Sequence, residues 1–225
     1  IIALGEELLQ RSTDTRQREN AVQCLCYTYD NIDKEKALYY ADMSGTFHIT
    51  REDLRTTILD GEEGVKACQS YMMSLIHTAA MTASSMISKT HFSHQEAIEA
   101  YTFAIDILKR LFSDDNVGFY AFDISYYYRH IALEYAELKD VENTLKALEE
   151  SCRYAIIEAN LKDMNYTAPM VNRMKHTKAN VSKNYKGNAC NLRLKALEYN
   201  KFDLVRNEER FKKIVDDLEK HAEKD

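Results

Sequence analysis

The scarcity of proline most constrains how this chain can fold. Its 225 residues contain one proline, Pro169, and six glycines. Proline removes a backbone donor and clashes with the preceding helical turn, so it is the strongest helix breaker. The long stretches without it are rich in alanine, leucine, glutamate and lysine, which favour helix. The sequence therefore predicts an all-α protein.

Several helix starts are marked by capping residues. Ser93 is followed three residues later by Glu96, which is the spacing of a capping box. Asp33 and Asp140 each precede an alanine-containing run, where an aspartate caps a helix well. Apolar residues recur every three or four positions, which predicts about nine to eleven helices with short links. The apolar stripe of 62–88 consists of Val65, Cys68, Met72, Leu75, Ile76, Ala79, Ala83, Met86 and Ile87.

One segment, 162–187, interrupts this rhythm and contains the proline. It is polar and basic, and we interpret it as a long connection with room for a short helix. Two interpretations of its basic residues stay open, namely a site for an anion or acidic partner, and a solvated loop. These residues are Lys175, His176, Lys178, Lys183 and Lys186.

Composition narrows the function classes. The formal net charge of −6 disfavours contact of this piece with nucleic acid. No apolar run is long enough for a membrane span. Five cysteines without a C-x-x-C pair favour a reducing, cytoplasmic location. The chain begins with Ile1 rather than methionine, so we expect a fragment whose natural N-terminal part is missing.

The sequence does not indicate catalytic chemistry. It has no G-x-S-x-G sequence, no phosphate-binding glycine loop and no H-E-x-x-H pair. His91 and His94 have a spacing that metal ligands can adopt, but Ser93 makes them helix-start residues. We expect no enzymatic activity, no metal and no cofactor. Four methionines of one helix are expected to fill the core, and a Met-lined partner surface is the alternative: Met72, Met73, Met81 and Met86.

Small and aromatic residues recur in a fixed order along two helical hairpins. A small residue lets two helices approach closely, and an aromatic residue fills the gap to the next hairpin. The residues that carry this pattern are Ala97, Tyr101, Ala104, Tyr128, Ile131, Ala132, Tyr135, Thr144, Leu148 and Ser151. The pattern resembles the tetratricopeptide repeat family. That resemblance implies a right-handed superhelix of antiparallel helical hairpins, which we expect to form a single domain over residues 1–225.

A narrower resemblance covers nearly the whole chain and rests on the order of its segments. These segments are "DKEKALYYADMSGTFHITREDLRTTILDGEEGVKACQ", "AIEAYTFAIDILKRLFSDDNVGFY", "RHIALEYAELKDVENTLKALEESCRYAI" and "SKNYKGNACNLRLKALEYNKFDLVRNEERFKKIV". This order resembles the C-terminal part of clostridial transcriptional regulators that carry an XRE-type helix-turn-helix. The DNA-binding helices would then lie upstream of residue 1.

This resemblance implies the ligand-sensing and dimerisation domain of a cytoplasmic bacterial regulator. It would bind a peptide or protein in a concave groove, form a homodimer, and reach DNA only through the missing part. The alternative is a stand-alone tetratricopeptide-type adaptor. The side of the helix that lines the groove in the family carries Tyr126, Arg129, His130, Leu133 and Glu137, for which a solvated helix face remains the other interpretation.

Overall fold

The protein is all-α apart from one minor two-stranded sheet. The structure, a computed structural model, describes residues 1–44, 50–114, 116–178 and 186–224. The ten described helices are α1 (Ile2–Arg11), α2 (Thr15–Tyr29), α3 (Lys34–Asp42), α4 (Arg51–Ile58), α5 (Gly61–Ile87), α6 (His94–Leu111), α7 (Ala121–Glu137), α8 (Val141–Ala159), α9 (Ala189–Leu197) and α10 (Glu209–His221). One short 3₁₀ turn, Gly118–Tyr120, precedes α7, and another, Asn200–Phe202, follows α9. The predicted fold class is confirmed at this level.

The chain divides into two compact units, Ile1–Arg51 and Glu52–Asp225. In the first unit, α2 packs against both α1 and α3 around a small apolar core. The hydroxyl groups of Tyr29 and Tyr40 both donate to the Glu6 carboxylate, at 3.2 Å each. A polar tie therefore joins all three helices at one edge of this core.

The second unit contains the larger core. Helices α5, α6, α7 and α8 pack in sequence order, each against the next, and α9 and α10 pack against α8 and against each other. Successive helices of a chain with short links form hairpins of this kind. The sequence also predicts a single domain and a right-handed superhelix. Both remain predictions, since the two compact units do not test them.

The predicted helix starts are confirmed. Ser93 and Glu96 form the complete capping box at the start of α6. Asp33 and Asp140 accept backbone hydrogen bonds from the first turns of α3 and α8. These side chains satisfy donors that a helix leaves free at its N-terminus.

The repeat-pattern residues lie mostly inside the second unit. Eight of them are buried, namely Ala97, Tyr101, Ala104, Ile131, Ala132, Thr144, Leu148 and Ser151. Tyr128 and Tyr135 are only half-buried, although they were expected on the buried stripe. Tyr127 is the buried tyrosine of that run, because its side chain points towards Tyr101 on α6.

The connection at 162–187 is described over 162–178 and from 186 on, and its first part contains a small β-hairpin. β1 (Met164–Asn165) pairs antiparallel with β2 (Lys175–His176). The turn between the strands is anchored to α5 by Gln69, which donates to the Pro169 carbonyl at 3.0 Å and accepts from Arg173 N at 2.8 Å. This segment is therefore held by tertiary contacts, and His176 is buried within it. Lys183 lies outside the described residues.

Helix α5 turns out to have two apolar faces. Its buried face carries Gln69, Met73, Ala80 and Ala83, so most of the stripe expected from the sequence faces outward. We call the outward face the α5 seam, formed by the half-buried Met72 and six exposed residues, Val65, Cys68, Leu75, Ala79, Thr82 and Met86. Leu75 is 52% exposed and Met86 49%. Core filling is thus wrong for Met81 and Met86, which are both exposed, while Met73 is in the core.

Candidate functional site

Helix α7 presents three of the predicted groove residues as one connected polar group. Tyr126, Arg129 and His130 occupy positions i, i+3 and i+4, which lie on one helix face. The Arg129 guanidinium lies 5.2 Å from the centre of the Tyr126 ring. The His130 ring lies 4.3 Å from the same ring, centre to centre. Arg129 is only 9% exposed, so this side of α7 is less accessible to solvent than a solvated helix face would be.

A second arginine reaches this group from α9. Arg193 is 5% exposed, and its guanidinium lies 5.9 Å from the centre of the Tyr126 ring. Two buried guanidinium groups therefore flank one aromatic ring. We call Tyr126, Arg129, His130 and Arg193 the arginine cluster.

A pair of serines joins α7 to α8 below the cluster. Ser125 Oγ donates to the Ser151 carbonyl and Ser151 Oγ donates to the Ser125 carbonyl, both at 2.8 Å. Ser125 Oγ also accepts from Arg193 Nε at 2.8 Å. A hydroxyl can donate once and accept at the same time, so this network is consistent. It fixes the position of Arg193 relative to α7.

His130 is held neutral in this environment. Burial lowers its pKa from 6.5 to about 3, and the charges of Arg129 and Arg193 add to that shift. Arg129 Nη2 donates to His130 Nε2, so the proton of the neutral ring is on Nδ1. The His130 ring also stacks on Tyr101 of α6, with 5.1 Å between ring centres. Burial likewise raises the pKa of Tyr101 to about 12.

The carboxylates of α7 engage histidines on neighbouring helices. Asp123 Oδ2 lies 3.1 Å from His77 Nε2 on α5. Glu134 Oε2 lies 2.7 Å from His94 Nδ1 on α6. In the described part of the chain, no ion pair joins either carboxylate to Arg129. The contacts that the structure describes for the Arg129 guanidinium are with His130 and the Tyr126 ring.

The other two predicted groove residues are placed differently. Leu133 is half-buried and packs against the large core. Glu137 is exposed and forms an ion pair with Lys201 Nζ at 2.5 Å. This lysine lowers the pKa of the Glu137 carboxyl. The structure thus brings Tyr126, Arg129 and His130 together and leaves Glu137 at the surface.

Two members of the site were missed by the sequence analysis. On α9, Arg193 lies on the same helix face as the buried apolar residues Ala189, Ala196 and Leu197. An arginine at such a position is the signal by which the sequence could have identified it. Ser125 gave no signal of its own, because a lone serine in a helix is common.

The chemical groups of the arginine cluster are two guanidinium groups, a neutral imidazole and a phenol ring. Among the described residues, no group of three histidine, cysteine or acidic side chains is placed to hold a metal. The two buried cysteines, Cys152 and Cys190, have pKa values raised to about 12 by burial, which makes them poor nucleophiles at neutral pH.

Over the described part of the chain, no helix is both long and apolar enough to cross a bilayer. No protein-family model, curated protein or solved structure compared with this chain matches it.

Proposed function

We propose that the chain is a helical-repeat binding module that senses a peptide or protein ligand and forms a homodimer. In the fuller form of this proposal it is the regulatory part of a cytoplasmic bacterial transcriptional regulator, with the DNA-binding helices upstream. The proposal assigns no catalytic reaction to it. The clostridial XRE-type resemblance in segment order suggests the transcriptional role.

The observation that carries the binding role is the arginine cluster. Buried arginines usually have a carboxylate partner, because desolvating an unpaired guanidinium costs free energy. Here Arg129 faces a neutral histidine and an aromatic ring. Strained or under-satisfied polar groups persist where a protein uses them. A ligand site on the α7 face is the use that this geometry favours.

The α5 seam supports the dimerisation part. Its residues alternate at spacings of three and four over three heptads, which is the pattern of a coiled-coil contact. Exposed apolar residues that follow one another along a helix face are a feature of interaction surfaces. The seam and the arginine cluster lie on different helices, so one helix would sense and another would associate.

The mechanism follows from how the site is built. A ligand that contacts α7 and α9 would change their separation and so their packing on α8. Helical assemblies respond to such changes by small shifts of whole helices. In a dimer, those shifts would move the attached DNA-binding parts relative to each other, and binding to two half-sites depends on that spacing.

Panning of a random peptide library tests the binding role. We expect wild-type protein to enrich a peptide family that the Arg129→Ala/His130→Ala double variant does not retain. Arg110→Ala, at an exposed position of α6, is the matched control and should retain it. Thermal melting followed by circular dichroism must show that all three proteins are folded. Failure to enrich any peptide, or equal retention by the double variant, would contradict the α7 site.

Sequencing the gene upstream of the codon for Ile1 tests the transcriptional role. A helix-turn-helix coding segment in frame supports it. A start codon directly before Ile1, or an unrelated domain, would leave the alternative, which is a stand-alone tetratricopeptide-type adaptor.

A further inference from the structure

The chemistry of the ligand can be inferred from the hydrogen-bond donors of Arg129. A guanidinium has five N–H donors in a fixed fork. In the described part of the chain, the side chain of Arg129 makes one hydrogen bond, from Nη2 to His130 Nε2. Its Nε is fully buried and has no hydrogen-bond partner there. The side chain is nine-tenths buried, so water does not readily replace that partner.

We infer that Arg129, with Arg193 beside it, binds a carboxylate group of the ligand. This inference rests on the proposed binding function and specifies which chemical group the site takes. A planar carboxylate accepts two parallel hydrogen bonds from the Nε and Nη edge of an arginine. The unpartnered Nε of Arg129 is one donor of that edge. Arg193 contributes a second positive charge to the same space, since its guanidinium flanks the same Tyr126 ring.

Local electrostatics favour an anion strongly. His130 carries no charge at neutral pH, and the arginine charges are among the causes of its lowered pKa. Of the acidic groups on α7, Asp123 and Glu134 are turned to His77 and His94, and Glu137 pairs with Lys201. A carboxylate entering beside Arg129 would therefore meet two cations in a poorly solvated space, where their attraction is much stronger than in water.

The site has an edge through which such a group can enter. Tyr126 and His130 are half-buried, so the cluster reaches the surface at these two rings. The entering carboxylate would take the place of His130 Nε2 as acceptor for Arg129. In the free protein, His130 Nε2 would then accept the Arg129 hydrogen bond in place of the ligand and keep the guanidinium oriented.

Titration with small carboxylates tests this directly, with the arginine Nε–H and histidine ring resonances followed by NMR at constant ionic strength. The probes are N-acetylglycinate, which mimics a peptide C-terminus, N-acetylaspartate α-amide, whose free β-carboxylate mimics an acidic side chain, and neutral N-acetylglycinamide. We expect saturable shifts of the Arg129 and His130 signals with a carboxylate probe and none with N-acetylglycinamide. The tighter of the two carboxylates identifies the source of the group.

Three variants make the test decisive. Arg129→Lys keeps the charge but loses the fork, and should weaken carboxylate binding at least tenfold; Arg129→Met should abolish it. Arg110→Gln is the control and should bind as wild type does. Because no carboxylate of the described residues pairs with Arg129, Arg129→Met should melt at or above the wild-type temperature. A second readout is the His130 pKa, which should rise when the carboxylate offsets the arginine charges.

Clear outcomes would overturn the inference. Equal shifts with N-acetylglycinamide, saturation by inorganic phosphate but by neither carboxylate, or no saturation at all would each do so. A sharp fall in the melting temperature of Arg129→Met, together with unchanged wild-type signals, would make Arg129 a structural residue. Peptide enrichment that persists despite such a result would leave the proposed binding function standing, with apolar contacts in place of the carboxylate.

Discussion

At the residue scale, His130 shows how burial and neighbouring charge together fix one protonation state. Its ring lies between Tyr101 and Tyr126, and Arg129 donates to its Nε2. Protonation would remove the lone pair that this hydrogen bond needs. It would also place a third cation beside Arg129 and Arg193. The neutral ring is therefore part of how the folded cluster is stabilised.

This protonation state predicts a pH dependence of stability. The pKa of His130 is about 3 in the folded protein against an ordinary value of 6.5, so the unfolded chain binds a proton that the folded chain does not. Stability due to this group is complete above pH 6.5 and falls as pH drops towards 3, by up to about 1.4 kcal/mol per pH unit. We expect His130→Phe to flatten this part of the slope in urea denaturation between pH 4 and 7.

The control for this pH series is His91→Phe, at an exposed position before α6. It should keep the wild-type slope, because its ring is not buried beside cations. If His130→Phe and wild type lost stability in parallel below pH 6.5, His130 would not be the group responsible.

The tyrosine run of α7 gives a second prediction at this scale. Tyr127 is 3% exposed and packs against Tyr101, whereas Tyr135 is half-buried. Tyr127→Ala should therefore destabilise the protein by about 3–5 kcal/mol, and Tyr135→Ala by about 1 kcal/mol. Urea denaturation of both variants measures this difference. The reverse order would mean that the repeat pattern in the sequence identifies the packing residue better than the structure does.

At the element scale, the β-hairpin depends on α5 for its position. Gln69 is buried and makes three hydrogen bonds to 169–173, through the Pro169 carbonyl, the Asn172 side chain and Arg173 N. Hydrogen bonds of this kind replace backbone pairing that an irregular turn cannot provide. The hairpin should therefore loosen when Gln69 is removed, even though its own strands are unchanged.

Gln69→Ala is expected to cost about 2–3 kcal/mol, because it removes three partly buried hydrogen bonds between α5 and the turn. Hydrogen exchange at the Arg173 amide should accelerate at the same time, which separates a local effect from global unfolding. Gln95→Ala, at an exposed position on α6, is the control and should change neither quantity by more than a few tenths of a kcal/mol. Unchanged exchange at Arg173 would contradict the anchoring role.

The sequence could predict features that depend on neighbouring residues, but not features that depend on residues far apart in the chain. Helices and their starts depend on local properties, such as the scarcity of proline and the caps at Ser93 and Asp140, so they were predictable. The buried face of α5 was not, because Gln69 is polar and its partners lie about 100 residues later in the chain. Arg129 and His130 could be selected as lying off the apolar stripe. Arg193 could not be joined to them, since 68 residues separate it from Ser125.

At the scale of the whole molecule, the α5 seam has the properties of a surface that meets a copy of itself. No acidic residue, lysine or arginine lies between Lys66 and Lys89, so two seams brought together would meet no like-charge repulsion. The seam runs from Val65 to Met86, which corresponds to about 33 Å of helix. Homodimer contacts are self-complementary patches, and an uncharged heptad stripe satisfies that condition.

Light scattering coupled to size-exclusion chromatography, over a concentration series, tests this association. We expect wild-type protein to be dimeric at tens of micromolar and Leu75→Asp to be monomeric, because a carboxylate at the centre of the seam would be desolvated in the dimer. Phe103→Asp, at a similarly exposed apolar position on α6, is the matched control and should remain dimeric. Circular dichroism should be unchanged in both variants, since both side chains face outward.

A wild-type monomer at the highest concentration, or a Leu75→Asp dimer as tight as wild type, would contradict association through α5. A dimer lost in Phe103→Asp alone would move the contact to α6, and the mechanism would then have to couple the arginine cluster to that helix instead.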